Sequence, residues 1–226
     1  VEAVTAVEGL TRGTLTLGIL QNSLFDLPGI LSRYRAVYPG VELRLRHAPS
    51  AVQVQMLRDH DLDLIFTTRQ QQTPSDLISI PMVESPLMLV CAGNSPWADR
   101  PIAELSMLAD VPHIGFPIGW GVRAVVDAAL QSRGVQPNYA FEINDTTTVL
   151  DLVEAGFGVA LLPEVIANLR RGLRQIPIKG RRWTWTIAAV TLSPSAPNPA
   201  ARAMWRLLEA IGDEVGADKH LAHKTP

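Results

Sequence analysis

Residues Ile143–Pro163 read INDTTTVLDLVEAGFGVALLP, and this stretch decides the fold. Phe141–Ile143 is a short apolar strand. Asn144 and Asp145 stop it, and Asp145 or Thr146 caps a helix by accepting hydrogen bonds from its free N–H groups. Val149, Leu150, Leu152 and Val153 form an apolar stripe at helical spacing. Gly156 stands where a helix C-terminus takes a left-handed residue. Gly158 opens a buried strand, Val159–Leu162, which Pro163 ends. Strand, helix and strand in so short a span make a βαβ unit with a right-handed crossover. Ligands in such sheets sit where strand ends meet helix N-termini, which puts Asn144–Thr147 at a binding edge.

The same alternation extends in both directions. Upstream, Thr14–Leu20, Val41–His47 and Leu64–Phe66 read as strands, with helices Leu24–Val37 and Ala51–Arg58 between them and Ser50 as a cap. Ile78–Val83 and Pro86–Ala92 are two further strands. Ile102–Leu108 is a short helix, Pro112–Phe116 a strand and Val122–Ser132 a helix. Downstream follow a helix at Glu164–Arg170, strands at Leu173–Ile178 and Trp183–Leu192, and a helix at Ala200–Ile211. Alternating strands and helices predict an α/β fold. Turn chemistry at Gly93–Pro96 and the end of the run at Leu192 mark two joints. The expected organisation is one lobe from 13–92 plus 192–213 and a second from 93–191, joined by two crossing strands. Residues 1–12 read as the end of a helix and 214–226 as a disordered tail.

Composition narrows the function. The chain has 226 residues, 47% hydrophobic and 19% charged, which suits a folded domain with a real core. Its net charge of −2 argues against a domain that itself grips DNA. The one dense basic run, Arg170 to Arg182, reads as a solvated helix end and loop. The single cysteine, Cys91, lies in an apolar run and reads as a buried thiol. No metal-ligand spacing, nucleophile elbow or phosphate loop is present, so neither an enzyme nor a cofactor-bound protein is expected. Nor does any apolar run reach membrane-spanning length, which points to a cytoplasmic protein without a membrane partner.

Gly119-Trp120-Gly121-Val122-Arg123-Ala124 matches a dinucleotide fingerprint in form. Trp120 would crowd a pyrophosphate, and the pattern belongs on the first βα unit. The glycines instead let a small ligand approach a helix N-terminus, where free N–H groups favour an anion such as a carboxylate. Ser23, Ser50, Thr67, Thr68 and Thr146 are hydroxyls at corresponding strand-to-helix positions and together suggest a polar cleft.

The order of LTLGI, Leu27-Pro28, VELRLRHAPS, LRDHDLDLIF, PLMLVCAGNSPWA, LVEAGFGVALLP and ARAMWRLL resembles the effector-binding domain of LysR-type transcriptional regulators. The resemblance implies two Rossmann-like lobes of the type II periplasmic-binding-protein kind, with a small-molecule effector between them. It implies effector contacts at Asn22, Ser23, Ser50, Thr67 and Thr68 in the first lobe and at Trp120, Gly121 and Thr146 in the second. Arg69 falls one position late for a carboxylate partner. DNA contact would belong to an N-terminal winged helix-turn-helix, with Val1–Leu10 ending its linker helix. A homodimer or homotetramer is implied, built on Leu27–Val37 and Glu42–Arg46 with Tyr34, Val37 and Leu43 as apolar contacts. A periplasmic solute-binding protein of the same fold is the alternative.

Overall fold

The computed structural model describes residues 11–20, 25–69, 74–192 and 198–222, with residues 213–222 traced by backbone alone. The chain order is β1 (Gly13–Ile19), α1 (Leu27–Val37), β2 (Val41–His47), α2 (Ser50–Arg58), β3 (Leu64–Thr68) and β4 (Ile78–Ala92). Then come β5 (Pro112–Gly115), α3 (Gly121–Gln131), β6 (Asn138–Glu142), α4 (Thr146–Glu154), β7 (Ala160–Pro163), α5 (Glu164–Ala167), β8 (Leu173–Pro177), β9 (Thr184–Thr191) and α6 (Pro199–Ala222). Two compact units divide the chain. The first takes the chain up to Ala48, Val52–Val83 and Ile187 onward; the second takes Pro49–Ala51 and Glu84–Thr186. Two of the divisions fall inside β4 and β9, and the other two bracket Pro49–Ala51 at the start of α2. Turn chemistry draws the joints at Gly93 and Leu192, but a strand passes between units without any turn residue.

In the first unit β2, β1 and β3 run parallel, and β9 joins β3 antiparallel, with Leu17 opposite Leu64 and Phe66 opposite Ala189. Side chains alternate across the sheet. Leu15, Leu17, Leu64 and Phe66 meet Leu27, Ile30 and Tyr34 of α1 and Met204, Trp205 and Leu208 of α6. Ile65, Ala188 and Val190 face the other way, onto Val54 and Leu57 of α2. The unit is therefore a sheet between two helical layers. Asn198, just before α6, donates to the Thr14 carbonyl at 3.0 Å and to Asp63 at 2.8 Å, and Asp63 also accepts the Thr16 N–H at 2.7 Å. This network fixes the start of α6 to the strands beneath it.

The second unit orders its strands β6-β5-β7-β4-β8. β5 and β6 are parallel, β5 bridges to Val159 at the entry to β7, and β4 runs antiparallel to β7 and β8. The βαβ unit read from the sequence is thus wider than expected: β5 lies between β6 and β7, and α4 crosses it. Gly156 has φ +81°, its N–H bonds the Val153 carbonyl, and the Phe157 N–H bonds the Leu152 carbonyl. That pairing is a Schellman stop for α4. Gly158 does something else. A Cβ there would lie 2.4 Å from the Pro112 carbonyl oxygen, so only glycine lets the strands close.

Several boundaries differ from the sequence reading. β4 is one strand, not two, because its ladders with β7 and β8 begin at Leu87 and Met88, beyond Pro86. Ile102–Leu108 yields only a 3-10 turn at Leu105–Leu108, since Ala103 is drawn into the sheet by bonds to Pro177 and Lys179. α1 starts at Leu27, capped by Asp26 accepting from Gly29 at 2.9 Å. α6 continues to Ala222, past Ile211 and into the segment expected to be disordered. No proline interrupts Gly212–Ala222, and most of its residues tolerate a helix. Residues 1–10, expected to end a helix, lie outside the described residues.

Candidate functional site

Of the expected first-lobe residues, Thr67 and Thr68 lie in the first unit at the C-terminal end of β3, while Ser50 falls in the short Pro49–Ala51 stretch that belongs to the second. Thr67 and Thr68 belong to β3 itself rather than to a loop after it, and they are 2% and 7% exposed. Arg69 follows them into solvent. Ser50 is the first helical residue of α2, not a cap outside it. The hydroxyl oxygens of Ser50 and Thr67 are buried and have no hydrogen-bond partner among the described residues. Such groups destabilise a fold by about 1–3 kcal/mol each unless something completes them. Asn22 and Ser23 lie outside the described residues.

One residue of this region escapes sequence reasoning. Gln53 of α2 is fully buried, and its carboxamide N–H groups donate to the Ile19 carbonyl at 2.7 Å and the Ala48 carbonyl at 2.8 Å. It therefore ties the end of β1 to the end of β2.

In the second unit the expected residues stand at two helix N-termini. Trp120 precedes α3, and its ring stacks on Phe116 with centroids 5.9 Å apart. Gly121 opens the helix. Thr146 opens α4 and is buried, while Asp145 caps it, accepting from the Thr148 N–H and hydroxyl at 2.7 Å each. Asp145 already places a carboxylate at the α4 terminus. The first turn of α3 carries no acid. An anionic ligand group is therefore favoured at Trp120–Gly121 over Thr146.

Arg123 stabilises this end of α3. Its guanidinium bonds Asp127 at 2.8 Å, Glu142, and the Phe116 carbonyl at 2.9 Å, and lies 3.8 Å above the Tyr139 ring. Burial lowers its pKa, but the bonds to Glu142 and Asp127 outweigh that and hold it above the ordinary value. With both acids engaged, Arg123 is a brace for the Phe116–Trp120 loop rather than a free cation. The i,i+4 spacing of Arg123 and Asp127 was the signal that could have found it.

His113 on β5 is 1% exposed. Its Nδ1 lies 2.8 Å from the Val111 carbonyl and so carries the proton, leaving Nε2 without a partner among the described residues. A cavity of about 10 Å³ borders it, the size of one water. Burial lowers the imidazole pKa below its usual 6.5, against the smaller effect of the Val111 bond. The folded state therefore binds this proton less well than the unfolded chain. Above pH 6.5 the group is neutral in both states; below it, stability falls by up to about 1.4 kcal/mol per pH unit. His113→Asn keeps a donor for Val111 and should remove this slope in denaturant titrations at pH 5.5–7.5. Parallel pH profiles for the two proteins would rule the effect out.

Two roomier hollows of the second unit lie elsewhere. One of about 440 Å³ sits at the far end of α4, lined by Trp97 and Phe157. Another of about 360 Å³, beyond the end of α3, is lined by Glu104, Arg133 and Lys179. Neither includes an expected site residue. Cys91 is fully buried, and burial raises its thiol pKa. No helix among the described residues is long and apolar enough to cross a membrane.

Comparison with known proteins adds four findings. The chain is 25% identical to the transcriptional regulator CfxR of Cupriavidus necator over 223 residues, covering 95% of this chain and 70% of the relative. It is 28% identical to IlvR of Caulobacter vibrioides over 193 residues, covering 78% of this chain but 64% of that protein. The effector-binding domain of QuiR in complex with shikimate shares the fold, with a TM-score of 0.79 at 19% identity over 90% of this chain and 99% of that one. The family model for the LysR substrate binding domain matches residues 8–212. A match over nearly the whole chain, on the two-unit α/β architecture, places this protein in the LysR substrate-binding-domain family.

Proposed function

We propose that the chain is the effector-sensing part of a cytoplasmic LysR-type transcriptional regulator, taking up a small molecule. The observation that carries the reading is the pair of buried hydroxyls, Ser50 Oγ and Thr67 Oγ1, held without partners at strand and helix ends where α/β sheets bind ligands. Thr68, Trp120, Gly121 and Thr146 complete the proposed contacts, with an effector carboxylate at the α3 terminus. Binding acts on transcription only if the effector prefers one arrangement of the units over another. DNA contact then falls to an N-terminal winged helix-turn-helix, as in the regulators this chain resembles. A transport component would share the fold, but the curated relatives are regulators.

The proposed homodimer uses α1 and β2. Val37 and Leu45 are exposed there, at 44% and 46%. Tyr34 is not available to a partner: it is buried, and its hydroxyl donates to the Ala200 carbonyl at 2.9 Å.

A thermal-shift screen against a metabolite library tests the reading. A ligand at 100 times its Kd should stabilise the chain by about 2.7 kcal/mol. Ser50→Ala and Thr146→Ala should each weaken that ligand by about tenfold, or ~1.4 kcal/mol. Ser50→Ala should hold or raise the unliganded melting temperature, since it removes a buried hydroxyl that bonds nothing among the described residues. Unaltered affinity in both variants would remove these residues from the site.

A further inference from the structure

We propose that the effector carries a hydrogen-bond donor, a hydroxyl or ammonium group, that docks on Gln53 Oε1, making Gln53 a specificity-determining residue. The inference rests on the sensor reading above and names the chemical class it takes. Gln53 is fully buried, and both N–H groups of its carboxamide are used, on the carbonyls of Ile19 and Ala48. Flipping the amide would set its oxygen against those two carbonyls, so the orientation is fixed. The remaining atom, Oε1, can only accept, and nothing among the described residues donates to it.

Its surroundings are built for this. A Cβ on Gly18 would come within 3.1 Å of Oε1 and 2.8 Å of Ile65 Cγ2, so glycine in β1 makes room for the carboxamide. Gly18 pairs with Ile65 in the β1–β3 ladder. Thr67 lies one pleat beyond Ile65, on the same face of the sheet. Its Oγ1 is buried and also lacks a partner. Two partnerless oxygens thus occupy one face of the first unit, at the C-terminal ends of neighbouring parallel strands. Thr67 both donates and accepts, so it takes either a hydroxyl or a carboxylate. Gln53 Oε1 repels a carboxylate, sulfate or phosphate oxygen and demands an O–H or N–H. Hydroxy acids, amino acids and polyols satisfy the pair; plain carboxylates and inorganic oxyanions do not.

The test is a binding screen of the chain with metabolites in matched pairs, with and without the donor: malate against succinate, serine against propionate, 3,4-dihydroxycyclohexanecarboxylate against cyclohexanecarboxylate. Readouts are thermal shift and the NMR signals of the Gln53 side-chain amide and Thr67. Donor-bearing members should bind at least about tenfold more tightly and shift both signals. Gln53 variants lose the Ile19 and Ala48 bonds and risk misfolding, so Thr67→Val is the second arm. It should hold or raise the unliganded melting temperature and weaken the same binder about tenfold. Pairs that bind equally while shifting Thr67 overturn the proposed class and leave the sensor reading standing. An ordered water on Oε1 that stays in place in a liganded crystal structure also overturns it. A library with no binder, or binders that move neither signal, defeats both.

Discussion

Gly158→Ala should destabilise the chain by about 2–4 kcal/mol, far beyond an ordinary glycine substitution. The added methyl would sit 2.4 Å from the Pro112 carbonyl oxygen, and backbone cannot yield as a flexible side chain does. That oxygen accepts the Val159 N–H at 2.9 Å, and the Val159 carbonyl accepts the Ile114 N–H at 2.8 Å. Moving the strands apart strains both bonds at the point where β5 meets β7. Gly156→Ala, two residues away, meets no neighbour within 4 Å and suffers only its left-handed φ of +81°, so about 1 kcal/mol is expected. Denaturant unfolding followed by tryptophan fluorescence separates the two. Equal losses would mean that the close approach of β5 and β7 is not what Gly158 serves.

Arg123→Ala should lower stability by about 3 kcal/mol. The side chain is 11% exposed, while Asp127 and Glu142 are 29% and 44% exposed, so water relieves part of the strain on the stranded acids. The loss includes the packing of the guanidinium on Tyr139 and the bond to the Phe116 carbonyl. Arg123→Lys should recover less than half, because an ammonium cannot fork between Asp127, Glu142 and a carbonyl while stacking on a ring. The loop it braces carries Trp120, so effector affinity should fall in both variants. An alanine variant within about 1 kcal/mol of the parent would show the cluster to be ordinary surface charge.

What was legible in the sequence was what local chemistry controls. The Asp145 cap, the α4 stripe, the Gly156 stop and the strands β1 and β2 all follow from neighbours a few residues apart. The unbroken β4 did not, because Glu84, Ser85 and Pro86 look like a break until the ladders are seen to start beyond them. The insertion of β5 between β6 and β7 is a long-range pairing with no local mark. Gln53 was hidden by its neighbours: in VQVQ it looks like Gln55, whose side chain bonds Asp59 at the surface at 3.0 Å. The clue lay instead in Gly18, since glycine inside a strand often marks a close approach.

The division of the chain into units also has a consequence for biosynthesis. Glu84–Thr186 is nearly all of the second unit and is one uninterrupted stretch, whereas the first unit needs both the chain before Val83 and the helix after Asn198. On a ribosome adding about 5–20 residues per second, the second unit is complete before α6 is made. Until Met204, Trp205 and Leu208 emerge, Leu15, Leu17, Leu64 and Phe66 have only α1 to cover them. Of the two units, the one whose translation begins first is therefore the one that matures last, and its uncovered sheet is where a chaperone would be needed.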